Sequence, residues 1–155
     1  MTKKMLLIAV VAVLSRGLAS AQSAETLEAT YLDKGYYPTG LNIGTARTAV
    51  GPVVTVDCPG TSGTCTIQAD QFIQVGDGST SGQLFTVGFY LDGVADGDEQ
   101  IVGSIPLSGT YMVGATSESQ TGVAVGTHTV QIYIYAREQT GSVYNYNTNF
   151  RVYKP

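Results

Sequence analysis

Tryptophan is absent from the sequence, histidine occurs once, and only two cysteines are present. A zinc-type site needs three or four histidine, cysteine or carboxylate ligands, and no cluster of that kind is visible. A hydrolase of the serine type needs a nucleophile, a base and a group that orients the base. No serine lies in a Gly-x-Ser-x-Gly turn, and the histidine has no visible partners. We therefore expect a protein that is not an enzyme.

The sequence also lacks an apolar run long enough to cross a membrane, which takes ~20 residues. The run from Met5 to Leu14 is about half that length. It follows the positively charged start Met1–Lys4 and precedes small residues at Ala19 and Ala21, the pattern of a secretory signal peptide. We predict that residues 1–21 are cleaved after Ala21 and that the protein is secreted or periplasmic.

Positive charge is scarce as well. Removal of residues 1–21 leaves five basic residues against twelve acidic ones, a net charge of −7. Such a surface repels phosphate groups, so nucleic acid is not expected as a partner. The same repulsion disfavours anionic lipid.

The remaining 134 residues contain no convincing helical period, whereas glycine, threonine, serine, valine and tyrosine are plentiful. β-branched and aromatic side chains fit a pleated sheet, and the length suits one domain with its own core. The sequence therefore predicts a single all-β domain.

Seven segments of alternating or apolar character are separated by turn residues, which indicates an antiparallel two-sheet sandwich of about seven strands. The predicted strands are Val53–Asp57, Thr64–Gln74, Gln83–Leu91, Ile101–Ile105, Thr110–Thr116, His128–Arg137 and Ser142–Tyr153. Residues 22–51 show no sustained period and are interpreted as a tether, an edge strand or both. The sandwich itself is assigned to residues 52–155.

Alternation predicts which side chains face the core in three of these strands. The predicted inward residues are Phe85, Val87, Phe89 and Leu91; Val130, Ile132, Ile134 and Ala136; and Tyr144, Tyr146, Phe150 and Val152. In Thr64–Gln74, Ile67 and Ala69 are out of phase with Phe72. We expect a bulge near Asp70 and Gln71 to bring all three apolar side chains inward.

The two cysteines, Cys58 and Cys65, flank a short segment that contains Pro59, Gly60 and Gly63. In an oxidising compartment an isolated pair is most often a disulfide, and these turn residues let the two ends meet. The alternatives are a metal site, which lacks further ligands, and a redox pair, which is usually spaced Cys-x-x-Cys.

The segment Gly126-Thr127-His128-Thr129-Val130 and the close Phe150-Arg151-Val152 resemble the last hairpin of bacterial immunoglobulin-like or fibronectin-type domains. The resemblance covers about the last thirty residues and implies a β-sandwich. It also implies a local hydrogen-bonding role for His128 at the start of a strand. The tryptophan and cysteine spacing of antibody domains are missing, and these folds host many functions.

The loop from Asp92 to Glu99 holds four carboxylates and two glycines. Oxygen ligands in a flexible loop are what calcium prefers, which makes Asp92, Asp96, Asp98 and Glu99 candidate ligands. The alternative is a solvated connection whose charges keep the domain soluble and block pairing at a sheet edge. No other cofactor is expected.

Polar and aromatic side chains on the outward rows of three strands form a candidate binding surface, provided that those strands are neighbours. The residues are Tyr90, Gln131, Tyr133, Tyr135, Asn145, Asn147, Asn149 and Arg151. Aromatic rings stack on sugars and amides bind hydroxyls, while tyrosine and arginine are also common in protein interfaces. The alternative is that the tyrosines simply pair across an exposed sheet.

Three functions remain in order of preference. The first is an exported binding or adhesion module for a glycan or a protein. The second is a structural or assembly subunit in which exposed strands pair between copies. The third is a small hydrolase, which would need a pocket with convergent carboxylates.

Overall fold

The computed structural model describes residues 25–77, 83–95, 99–105, 110–138 and 140–155. The predicted signal peptide lies outside these residues. The strands are β1 (Thr26–Ile43), β2 (Thr48–Cys58), β3 (Thr64–Asp77), β4 (Gln83–Leu91), β5 (Val94–Ala95), β6 (Gln100–Ile105), β7 (Tyr111–Ala124), β8 (Gly126–Ala136) and β9 (Gly141–Lys154). No helix in this described part of the chain has the length and apolarity needed to span a bilayer.

Two antiparallel sheets make up the fold, so the predicted all-β sandwich is confirmed. Sheet A has the strand order β1-β9-β3-β7. Sheet B has the order β2-β8-β4-β5, and β6 also pairs with β4. All seven predicted strands are present, most of them longer than predicted. The two further strands are β5 and β1, and β1 places much of the segment 22–51 at the edge of sheet A.

The core lies between the sheets and is built from the alternating apolar rows. Phe85, Val87 and Phe89 on β4 are fully buried, and so are Ile132 and Ile134 on β8. Sheet A contributes apolar residues of β3 and β9 to the same core. The rings of Phe89 and Phe150 meet edge to face across it, with their centroids 6.3 Å apart.

The predicted bulge near Asp70 and Gln71 is wrong. β3 pairs regularly with β7 from Ile67 to Gly76, so the alternation continues without a shift. Gln71 therefore faces the core, where its Nε2 donates to Glu118 Oε1 at 3.1 Å. Phe72 faces solvent and is 52% exposed. A polar residue occupies an inward position because its amide has a partner there, which an apolar pattern does not reveal.

The inward assignment of Tyr144 is also wrong. β9 is regular from Asn145 onward, but its pairing with β3 shifts between Gln74 and Val75. The irregularity at Tyr144 lets Val143 enter the core with no exposed surface. It also turns Tyr144 to the outer face of sheet A, because one extra residue reverses the side to which a side chain points.

Cys58 and Cys65 form the expected disulfide between the end of β2 and the start of β3. The two strands belong to different sheets. The bond therefore joins the sheets at one end of the sandwich, where both cysteines are buried.

We predict that the double variant Cys58→Ala/Cys65→Ala loses about 2–3 kcal/mol of unfolding free energy, because the disulfide no longer restricts the unfolded chain. Urea unfolding followed by circular dichroism measures the difference. A variant as stable as the wild-type protein would contradict a stabilising role for the bond.

Candidate functional site

The eight predicted binding residues do not share one surface. β4 and β8 are neighbours in sheet B, but β9 belongs to sheet A. Tyr90, Gln131, Tyr133 and Tyr135 accordingly lie on the outer face of sheet B. Asn145, Asn147, Asn149 and Arg151 lie on the outer face of sheet A. The expectation of a single face fails because alternation within a strand does not show which strands become neighbours.

Tyr133 is the centre of the outer face of sheet B, yet it has no exposed surface. Its ring lies across Gly88 of β4, where an added Cβ would come within 2.4 Å of the tyrosine oxygen. The ring of Tyr90 packs beside it at 4.7 Å between centroids. The guanidinium of Arg47, from the loop between β1 and β2, lies 5.2 Å from the ring centre.

Glu99, which immediately precedes β6, is the shared hydrogen-bond acceptor of this cluster. Its Oε1 accepts hydrogen bonds from Arg47 Nε at 2.9 Å and Arg47 Nη2 at 2.7 Å. Tyr133 donates to the same oxygen at 3.1 Å, and Tyr135 donates to Oε2 at 2.6 Å. Burial opposes ionisation of Glu99, but the bonds from Tyr135, Arg47 and Tyr133 outweigh it and lower its pKa.

The pKa of Tyr133 is raised, first by burial and then by its bond to Glu99. Tyr133 therefore stays protonated at neutral pH, and its hydroxyl group donates a hydrogen bond to the carboxylate. Arg47 covers the ring of Tyr133. We therefore infer that this cluster stabilises the outer face of sheet B and that Tyr133 is not accessible to a ligand.

A shallow cleft of about 260 Å³ lies beside the cluster on sheet B. One wall comes from β2, whose pairing with β8 is interrupted between Val50 and Val54. Gln131 supports that wall, because its Nε2 donates to the carbonyl oxygen of Gly51 at 2.8 Å. Of the predicted binding residues, Tyr90 and Gln131 line this cleft.

The outer face of sheet A is more open. Its register places Tyr36, Asn145, Gln74 and Val113 in one row across the four strands, and Lys34, Asn147, Phe72 and Ala115 in the next. Asn145 and Asn147 are exposed. Three apolar or aromatic side chains in these rows are half exposed or more: Tyr36 at 68%, Phe72 at 52% and Val113 at 50%.

Two further tyrosines extend this surface at one end. Tyr111 is 61% exposed, and its ring meets Tyr144 edge to face at 5.0 Å. Both rings pack over Gly76, where an added Cβ would come within 2.4 Å of Tyr144 and 2.9 Å of Tyr111. Glycine at position 76 is therefore what lets the two rings meet above the sheet. We call the set Tyr36, Phe72, Tyr111, Val113 and Tyr144 the aromatic platform.

The pKa of Tyr111 is affected by two other tyrosines of the platform. The pKa of Tyr111 is raised, first by Tyr144 and to a smaller extent by Tyr36. The two hydroxyl groups that influence Tyr111 thus come from β9 and β1. Tyr111 and Tyr144 are in ring contact although they lie far apart in the sequence.

Asn149 and Arg151 lie farther along β9 from the platform. Arg151 Nη1 forms an ion pair with Asp70 Oδ2 at 2.9 Å. Asp70 Oδ1 accepts from Ser117 Oγ and from Gln68 Nε2, each at 2.7 Å. Arg151 is thereby part of a polar network across β9, β3 and β7 that is separate from the exposed rings.

The structure describes only part of the candidate calcium loop. Asp92 and Glu99 are bound to different partners, His128 and Arg47 respectively. Asp96 and Asp98 lie outside the described residues. Within the described ranges no group of three or more histidine, cysteine, aspartate and glutamate side chains is placed to hold a metal ion. Calcium binding by this loop stays a prediction.

His128 has the local role that the sequence resemblance implied. Its Nδ1 lies 2.7 Å from Asp92 Oδ2, and its Nε2 lies 2.8 Å from the carbonyl oxygen of Ala124. Asp92 also accepts from the backbone N–H of Thr129 at 2.8 Å. Asp92 adopts a positive φ of 51° in the turn before β5, and the histidine fixes this turn to the end of β7.

No family model matches this chain, and no curated protein matches it. Among solved structures it is similar to one of the infectious bursal disease virus Gx strain, with 12% identity and a TM-score of 0.45, over 94% of this chain and 37% of that chain. It is also similar to the T13 IBDV viral particle, with 12% identity and a TM-score of 0.43, over 92% and 35%. The chain thus spans little more than a third of the structures it matches, and neither likeness assigns it a function.

Sequence reasoning missed most of the platform. Tyr36 lies in the segment without a period, and Tyr111 and Val113 lie on a strand to which no face was assigned. Phe72 and Tyr144 were expected in the core. No sequence signal indicated the contact of Tyr144 with Gly76, because Gly76 lies beyond the predicted strand Thr64–Gln74 and pairs with Ser142 in the register.

We predict that Glu99→Ala lowers the unfolding free energy by about 1–3 kcal/mol, because Arg47, Tyr133 and Tyr135 lose their shared acceptor. Chemical denaturation measures the loss. The control is Glu28→Ala, which removes an exposed carboxylate on β1. Equal effects of the two substitutions would show that the Glu99 cluster does not stabilise sheet B.

His128 predicts a pH dependence of stability. The hydrogen bond to Asp92 is the main reason that its pKa is raised above the usual value. A raised pKa means that the stabilisation is complete below the unfolded-state value of about 6.5 and is lost as the pH rises through the folded-state value. The melting temperature should therefore fall at mildly alkaline pH.

The same contact lowers the pKa of Asp92, so its contribution is lost only in acid, as the pH falls through the folded-state value. Melting curves between about pH 5 and pH 9 test the alkaline loss that follows from the raised pKa of His128. His128→Gln should flatten the curve in that range. A wild-type protein and variant with the same pH profile would contradict the role of His128.

Proposed function

We propose that this chain is an exported, non-catalytic binding module that recognises a glycan through the aromatic platform of sheet A. One observation carries the proposal: Tyr36, Phe72 and Tyr111 expose half or more of their surface on the same sheet face. Apolar and aromatic side chains exposed together on one face are typical of interaction sites.

The chemistry between the rings supports a ligand rich in hydroxyl groups. Asn145 lies between Tyr36 and Gln74 in one row, and Asn147 lies between Lys34 and Phe72 in the next. An amide can both donate and accept hydrogen bonds, as a hydroxyl group does. Flat rings offer apolar contact to the C–H faces of a sugar, and the amides between them can fix its orientation.

Charge narrows the class of glycan. Among the described residues on these two outer rows, Lys34 is the one charged side chain. The predicted mature protein has a net charge of −7, so a strongly anionic ligand would be repelled over longer distances. A neutral glycan therefore fits the platform better than a sulfated or polyphosphorylated one.

The absence of catalysis and the exported location are part of the same proposal. His128, Asp92 and Glu99 are engaged in contacts that hold turns and the surface of sheet B in place. A disulfide between Cys58 and Cys65 fits an oxidising compartment.

A glycan array followed by titration calorimetry tests the proposal. We expect Tyr36→Ala and Tyr111→Ala each to weaken binding by about tenfold or more, as central aromatic contacts usually do. Tyr90→Ala is the matched control, because it removes a tyrosine from the opposite face. Binding that survives both platform substitutions, or that is lost only in the control, would refute the platform as the site.

A further inference from the structure

The edges of the two sheets differ in how well they are protected against pairing with another strand. β1, at one edge of sheet A, contains Lys34 and Pro38 and has two interruptions in its pairing with β9. β2, at an edge of sheet B, contains Pro52 and one interruption. Proline, lysine and irregular pairing are the usual means by which proteins block an edge.

β7, at the other edge of sheet A, has few of these features. It pairs regularly with β3 from Tyr111 to Gln120. The strand contains no proline, lysine or arginine. At about 3.4 Å per residue this regular stretch is roughly 30 Å long. The backbone groups on its outer side are those that a further strand would bind.

The outward side chains of β7 carry no charge to face a strand added beside it, while Val102 of β6 packs against the strand at Gly114. The residues that point to the outer face of sheet A are Tyr111, Val113, Ala115, Ser117 and Ser119, none of which is charged. Glu118, the acidic residue of the strand, points inward, is 4% exposed and accepts a hydrogen bond from Gln71. Its charge therefore does not face a strand added at the edge.

We propose that β7 is an association edge at which a second copy of this chain pairs antiparallel, related by a twofold axis. In such a pair the outward row of one β7 lies beside the outward row of the other, so the contact is self-complementary. Both molecules carry net negative charge. Two acidic molecules approach most easily where the facing side chains are uncharged, and β7 offers such a row.

Pairing at β7 would join the outer faces of two molecules. The two copies of sheet A become one continuous sheet, and Tyr111 and Val113 of each copy lie near the new junction. The two aromatic platforms then face the same side. The proposal goes beyond ligand binding and does not depend on which ligand the platform takes.

Sedimentation equilibrium of the purified protein over a wide concentration range tests the association. We expect a dimer that strengthens with added salt, since salt screens the repulsion between acidic molecules. Hydrogen exchange at low and high concentration should show backbone protection rising in Tyr111–Gln120 and not in β1. A monomer at every concentration, or protection that rises elsewhere, would overturn the proposal.

A matched pair of variants keeps the test independent of the platform. Ala115→Lys/Ser119→Lys adds two charges to β7 without altering a platform residue, and we expect at least a tenfold weaker association. Thr30→Lys/Leu32→Lys adds the same charge to the outer face of β1 and should leave association unchanged. Equal effects of the two double variants would overturn pairing at β7, and circular dichroism checks that both are folded.

Discussion

The position of β9 between β1 and β3 is the constraint on which the surfaces of this protein depend. Side chains of a strand alternate between faces, so a shift of one residue in β9 would expose Phe150 and Val152 and bury Asn145 and Asn147. Burial of the apolar pair in the core prevents that shift. The irregularity at Tyr144 then places a ring above Gly76 while Val143 stays inside. One extra residue in one strand thus creates an end of the aromatic platform.

The two outer faces differ in exposure because their aromatic side chains have different neighbours. On sheet B the charged pair Arg47 and Glu99 covers Tyr133 and satisfies its hydroxyl group. On sheet A the ring of Tyr111 meets that of Tyr144, and Tyr36 and Tyr111 remain exposed. A tyrosine-rich strand therefore does not in itself present an exposed aromatic surface. The tyrosine rings are exposed only where no loop residues, such as Arg47 and Glu99 on sheet B, pack over them.

Sequence reasoning succeeded where alternation was clean and failed where a contact from another strand decided the outcome. The inward rows of β4 and β8 were predicted correctly because each is apolar throughout. Gln71 was misplaced because its inward position depends on Glu118, which is 47 residues away. The binding residues were divided between two sheets because strand order is set by long-range pairing. The strand β1 is not distinguished from a tether by the sequence because Gly35, Pro38 and Gly40 obscure its period.

The central claim is that a ligand binds to the exposed rings of sheet A and not to the covered face of sheet B. Nuclear magnetic resonance of protein labelled in its tyrosine and phenylalanine rings, during titration with a glycan selected on the array, tests it most directly. The ring signals of Tyr36, Phe72 and Tyr111 should shift while those of Tyr90 and Tyr133 should not. Shifts centred on Tyr90, or ring signals that do not respond although the glycan binds, would contradict it.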